Sequence, residues 1–93
     1  MTTPKDSTFK RLFERYMLLV AVGGNGVFYA QAYEIYSKQE AANVSLFAFS
    51  ISVWALTSWL IYGFILRNRI LIVANIVGVL GAVLVVAGIL LYS

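Results

Sequence analysis

Three apolar runs of 21–23 residues, separated by short polar links, constrain this chain more than any other feature. Residues 16–36 carry one formal charge, Glu34, near their end; residues 44–66 and 70–92 carry none. Lys38, Glu40 and Asn43 mark the first link, and Arg67-Asn68-Arg69 the second. A hydrocarbon core ~30 Å thick is crossed by about 20 helical residues. Lipid offers no partner for an unpaired peptide group, so runs of this length are read as helices. They are too long, and alternate too little, for barrel strands.

A soluble fold is excluded on the same grounds. The chain has 93 residues, 61% of them hydrophobic and only 12% charged, whereas soluble domains average ~45–50% and ~25%. So short a chain also buries the smallest share of its surface. The expected architecture is an all-α membrane protein: a polar, amphipathic segment over 1–15, then a three-transmembrane-helix bundle with spans at about 16–36, 44–66 and 70–92.

Histidine and cysteine are both absent, so disulfides, thiolate or imidazole metal sites and Cys/His or Ser/His catalysis are not expected. No cofactor and no enzymatic activity are expected. A net charge of +3, spread along the chain, is too weak for nucleic-acid binding.

Basic residues precede the apolar stretch 17–22, and Gly23 and Gly24 follow it, as in a secretory leader. The run continues well beyond them, which favours a retained span. Phe9, Leu12 and Phe13 lie at helical spacing among basic residues, as in an interfacial lead-in. The N-terminal segment and the second link share one side of the membrane, with six basic residues (Lys5, Lys10, Arg11, Arg15, Arg67, Arg69) against Lys38 on the other. The positive-inside rule places that side in the cytoplasm.

Polar and small residues within the runs face protein or water rather than lipid. In the first run Gly23, Gly24, Asn25 and Gly26 cluster. Gly23, Gly26 and Ala30 share a face, suited to close helix packing or to a hinge. Asn25 needs hydrogen-bond partners, either another helix or a ligand. Gln31 and Glu34 lie near the water boundary, where Glu34 can snorkel or couple protons. In the second run Ser45, Ser52 and Trp59 are seven apart on one stripe, which Ala55 and Tyr62 extend. Trp54 and Trp59 sit too deep for simple interface anchors. In the third run Asn75 is the one strongly polar residue. Gly78 and Ala82 form a small-xxx-small pair, with Gly81 and Gly88 on a neighbouring stripe.

Three packed helices leave no room for a solute along their axis. A cavity walled by Asn25, Ser52, Trp59 and Asn75 therefore needs a second set of helices. An identical subunit is the simplest supplier; both copies insert the same way, so the homodimer is parallel.

Trp59-Leu60-Ile61-Tyr62-Gly63, Ala74-Asn75 thirteen residues after Tyr62, and Asn43-Val44-Ser45 at the start of the second helix together resemble the SemiSWEET family. These are the half-size bacterial members of the SWEET and PQ-loop superfamily. The resemblance runs from about Gly24 to Leu91. It implies facilitative, alternating-access transport of small neutral sugars by a parallel homodimer in the bacterial plasma (inner) membrane. It implies that Trp59 and Asn75 line the sugar pocket, which the cavity read above would extend with Asn25 and Ser52, and that Tyr62 and Arg67 contribute to the outer gate.

Two motifs depart from the family. Its Pro-Gln near the end of helix 1 reads Ala30-Gln31 here, which leaves Gly23, Gly24 and Gly26 as the flexible points around the Gln31 region. Its arginine–acid pair after Y-G reads Arg67-Asn68-Arg69, with no acid for a gate salt bridge. The family also places the N-terminus outside, opposite to the charge rule. The alternative functions are transport of another small solute, such as an amino acid, and a non-transporting membrane subunit.

Overall fold

The computed structural model describes residues 4–93, with side chains from residue 8 onward. The first three residues of the expected 1–15 segment, and the Lys5 side chain, lie outside the described residues. Among the described residues there are four helices: α1 (Pro4–Gly24), α2 (Gly26–Lys38), α3 (Leu46–Leu66) and α4 (Arg69–Tyr92). The second and third runs each form one helix, and these two are long and apolar enough to cross a membrane.

The first run departs from its expected form. No helix end separates the polar segment from the apolar one, because α1 is continuous from Pro4. The interruption falls instead at Asn25, so that α1 and α2 together take the place of one span. There the backbone sits at φ −81°, ψ −3°, flatter than a regular helix. The Asn25 side chain donates to the Ala21 carbonyl at 2.8 Å, competing with the backbone for that acceptor.

The other helix ends follow from local chemistry. Ser45 and Asn68 cap α3 and α4, accepting from the Ala48 and Leu71 amides at 3.0 and 3.2 Å, as short polar side chains do at helix starts. Gln39 and Arg67 end α2 and α3 in the left-handed region, at φ 55° and 54°. At Arg67 the closing bonds run from its amide to the Phe64 carbonyl and from the Asn68 amide to the Gly63 carbonyl, a Schellman-type stop.

α4 is the central rod. α1 and α2 run along one side of it and α3 along the other, in a broad, shallow body 55 × 24 × 14 Å across. Small residues permit this. Gly78, Gly81, Ala82 and Gly88 of α4 are buried. A Cβ on Gly81 would lie 2.7 Å from the Phe28 Cβ, and one on Gly88 would lie 2.9 Å from Ile35. On the other side, a Cβ on Gly63 of α3 would lie 3.0 Å from the Leu71 Cβ. The small-residue stripes expected in the third run are thus the packing faces. Those in the first run are not: a Cβ on Gly23, Gly24 or Gly26 would meet nothing within 4 Å. Close packing at that cluster is therefore corrected, and a local break takes its place.

Burial is inverted relative to a soluble domain. The interior holds Ala32, Ile35, Ala41, Ala82, Val85 and Ile89, while Phe47, Trp54, Ile65, Leu80 and Leu91 face outward. With no hydrophobic force between helices in lipid, close contact of backbones holds such a body together.

This packing predicts opposite outcomes for two glycine-to-alanine changes. Gly81→Ala forces Phe28 and Tyr29 aside and should cost about 1–3 kcal/mol. Gly23→Ala adds a methyl in open space and should be neutral or stabilising by up to ~1 kcal/mol. Denaturant titration of helix content in detergent micelles measures both.

Candidate functional site

Three side chains of the first run clip onto carbonyls of α4. Asn25 donates to Ala74 at 2.9 Å, Tyr29 to Val77 at 2.7 Å and Tyr36 to Leu84 at 3.0 Å. The sequence separations, 49, 48 and 48, stay nearly constant, as they must when two helices run parallel. Tyr29 and Tyr36 are seven apart and straddle Gly81 and Gly88, also seven apart, whose missing side chains let the phenol rings reach the backbone. The two tyrosines were not among the residues singled out from sequence. Their spacing, matched to that of the two glycines, was the available signal.

Asn25 and Asn75 lie close together in this seam, since Asn25 bonds the residue preceding Asn75. Asn75 is only 7% exposed, the one buried polar side chain among the described residues. Its amide donates to the Leu71 carbonyl of its own helix at 2.7 Å. Its carbonyl oxygen and second N–H have no protein partner among the described residues, yet no sealed polar atom is left unsatisfied. An amide placed this way can take a hydroxyl as both donor and acceptor.

The indole of Trp59 borders a recess of its own. It is 53% exposed and meets the Tyr62 ring edge-on, with centroids 5.8 Å apart and planes at 74°. Together with Ser58 these rings line an open recess of 390 Å³. Asn75, Asn25 and Ser52 are not among its walls. Ser52 is turned back on its own helix, donating to the Ala48 carbonyl at 3.1 Å, the usual way a hydroxyl is satisfied within a helix. One chain therefore supplies an aromatic shelf and a carboxamide seam, and this recess does not join them.

Polar groups gather at the two ends. At one end Gln31, Glu34, Lys38 and Asn43 line a cavity of 220 Å³. There Lys38 and Glu34 form an exposed ion pair at 2.8 Å. The Glu34 hydrogen bond, then its charge, raise Lys38 above the ordinary lysine value. At the other end Arg67 lines a cleft of 650 Å³ with Arg11, Arg15 and Arg69, and Tyr62 is not among its walls. The two residues expected at a gate thus border different openings within one chain.

The tyrosine clips predict a measurable contribution to stability. Tyr29→Phe and Tyr36→Phe should each lower stability by about 0.5–1.7 kcal/mol, the range for interhelical hydrogen bonds in membranes. Equilibrium unfolding of the single and double variants in bicelles measures this, with near-additive effects expected because the two bonds share no partner.

Compared with known protein families, the chain matches along residues 17–93 a family model described as "Sugar efflux transporter for intercellular exchange". The comparisons with curated proteins and with solved structures yield no match.

Proposed function

The chain belongs to the SWEET/SemiSWEET sugar efflux transporter family, and from that premise we propose that it moves small neutral sugars passively across a bacterial inner membrane. In this reading it works as a parallel homodimer by alternating access. The family makes it a transporter of sugars within a membrane; the neutral substrate, the dimer and the bacterial membrane are our reading.

The observation that carries the reading is the half-satisfied amide of Asn75, held in the seam of an otherwise apolar body. A sugar presents hydroxyls on its edge and C–H groups on its face. It needs donor–acceptor amides and an aromatic plate, and it needs no charge. Asn75 offers a donor and an acceptor, Asn25, with both N–H groups engaged, adds its carbonyl oxygen, and Trp59 offers the plate. Ser52 stands on the Trp59 stripe as a weaker polar contact. Because a single chain leaves its aromatic recess open, a second copy facing it across a two-fold axis would close the chamber. Tyr62 beside Trp59, and Arg67 at the end of α3, would narrow the chamber's mouth without an acidic partner.

Access from alternate sides requires a rod that bends. The break at Asn25, flanked by the unpacked Gly23, Gly24 and Gly26, supplies the flexible point, with Gln31 beyond it on α2. No step of this scheme needs a proton. Glu34, the acid nearest a span's end, is held in a solvent-exposed ion pair with Lys38, which supports gradient-driven transport over proton coupling.

Uptake of radiolabelled mono- and disaccharides into proteoliposomes tests this. Trp59→Ala and Asn75→Ala should each reduce flux at least tenfold, on the order of the loss of one buried hydrogen bond or stacking contact. Crosslinking should recover the dimer in both variants. Equal flux in the wild type and both variants would refute the assignment. Flux by the wild type and by Glu34→Gln should be equally flat with pH across neutrality. A collapse in Glu34→Gln alone would establish coupling through that carboxylate.

A further inference from the structure

We propose that the arginine-lined cleft between α1 and the α3–α4 link is a binding site for the headgroup of an anionic phospholipid. Arg11 and Arg15 enter it from α1, and Arg67 and Arg69 from the link, around a volume of 650 Å³. Among the described residues the one acidic residue in its walls is Glu14. Four guanidinium groups thus face one carboxylate, and none of the four has an ion-pair partner among the described residues. Guanidinium groups recognise phosphate oxygens through paired N–H donors, and several around one cleft suit a phosphodiester.

The placement of these arginines argues for a role in this cleft. Arg67 occupies a left-handed cap, φ 54°, where glycine fits with least strain. Arg69 opens α4, the end of a helix whose dipole disfavours a cation. Neither position is the easiest one for an arginine, yet both side chains border the same opening.

The surroundings decide between a lipid and a soluble anion. The cleft lies where two spans emerge, with Leu18, Leu66 and Ile70 also in its walls, so apolar surface begins directly beneath the charges. On α1 the basic and aromatic residues fall on opposite faces. Arg11, Arg15 and Leu18 follow helical spacing into the cleft, while Phe9, Phe13 and Tyr16 form a ring row with centroids 6.1 and 5.5 Å apart. Those three rings are at least half exposed, as expected of a helix lying against a lipid interface. A headgroup in the cleft with its acyl chains along this apolar surface satisfies both faces at once.

Native mass spectrometry of the full chain, extracted into detergent supplemented with equal phosphatidylglycerol and phosphatidylcholine, tests the proposal. The wild type should retain phosphatidylglycerol over phosphatidylcholine by roughly tenfold, and added salt should lower that preference. The paired variants Arg11→Gln/Arg15→Gln and Arg67→Gln/Arg69→Gln should each bring it near parity. Lys38→Gln, at the opposite end, should leave it unchanged. Circular dichroism separates loss of the site from loss of the fold, and should either paired variant unfold, the wild-type preference and its salt dependence decide. No preference in the wild type, or full preference in folded paired variants, overturns the proposal. Displacement of the lipid by equimolar inorganic phosphate would assign the cleft to a soluble anion instead and overturn the lipid reading.

Discussion

The structure depends on how closely other helices can approach the backbone of α4. Lipid gives no hydrophobic reason for one helix to prefer another over acyl chains. What remains is dispersion across short distances and the few polar bonds those distances permit. Gly78, Gly81 and Gly88 remove side chains where α2 and α3 come nearest, and Gly63 does the same from α3. α1 and α2 on one side and α3 on the other are arranged around α4. Large apolar side chains such as Phe47, Trp54 and Leu91 point outward, while small residues occupy the closest contact points of α4.

Close approach has a second effect. With no side chain at Gly81 or Gly88, the phenols of Tyr29 and Tyr36 reach carbonyls that already serve the α4 ladder. A carbonyl has two lone pairs, so it accepts the additional bond without giving up the helix. Asn25 does the same one step earlier, at Ala74. The seam is polar without containing a charge, which is how an uncharged polar environment can be kept within lipid. The amide of Asn75 borrows that environment and retains hydrogen-bonding capacity of its own.

The gross architecture was legible because long uncharged runs have few physical options. α3 and α4 begin at polar caps close to where the second and third runs begin, and Gly78 with Ala82 was readable as a packing face from spacing alone. The first run was less legible. Its glycines suggested either packing or a hinge, and sequence alone does not reveal whether a neighbour fills the gap; here none does. Asn25 interrupts the rod because its side chain bonds a carbonyl one turn back, which depends on rotamer rather than composition. The arginines of α1 and of the second link were read as a topology signal, an interfacial lead-in and, at Arg67, a gate, but not as one cluster, since nothing in a linear count brings residues 11 and 67 to one opening. Trp59 and Asn75 pointed to a shared pocket through resemblance, while the recess beside Trp59 in one chain does not include Asn75. In the proposed dimer a second subunit would join them, which no single-chain pattern encodes.

Asn25 is fastened both to the turn before it, at Ala21, and to α4, at Ala74. A bend at this residue therefore has a fixed fulcrum on the central helix. The 21 residues of α1 make a lever arm of roughly 30 Å, so each ~10° of tilt would sweep its far tip by about 5 Å. Arg11 and Arg15 lie part-way along that arm, and the opposing Arg67 and Arg69 do not ride on it. A modest angular change deep in the bilayer would thus be magnified into a change of separation between guanidinium groups at the surface.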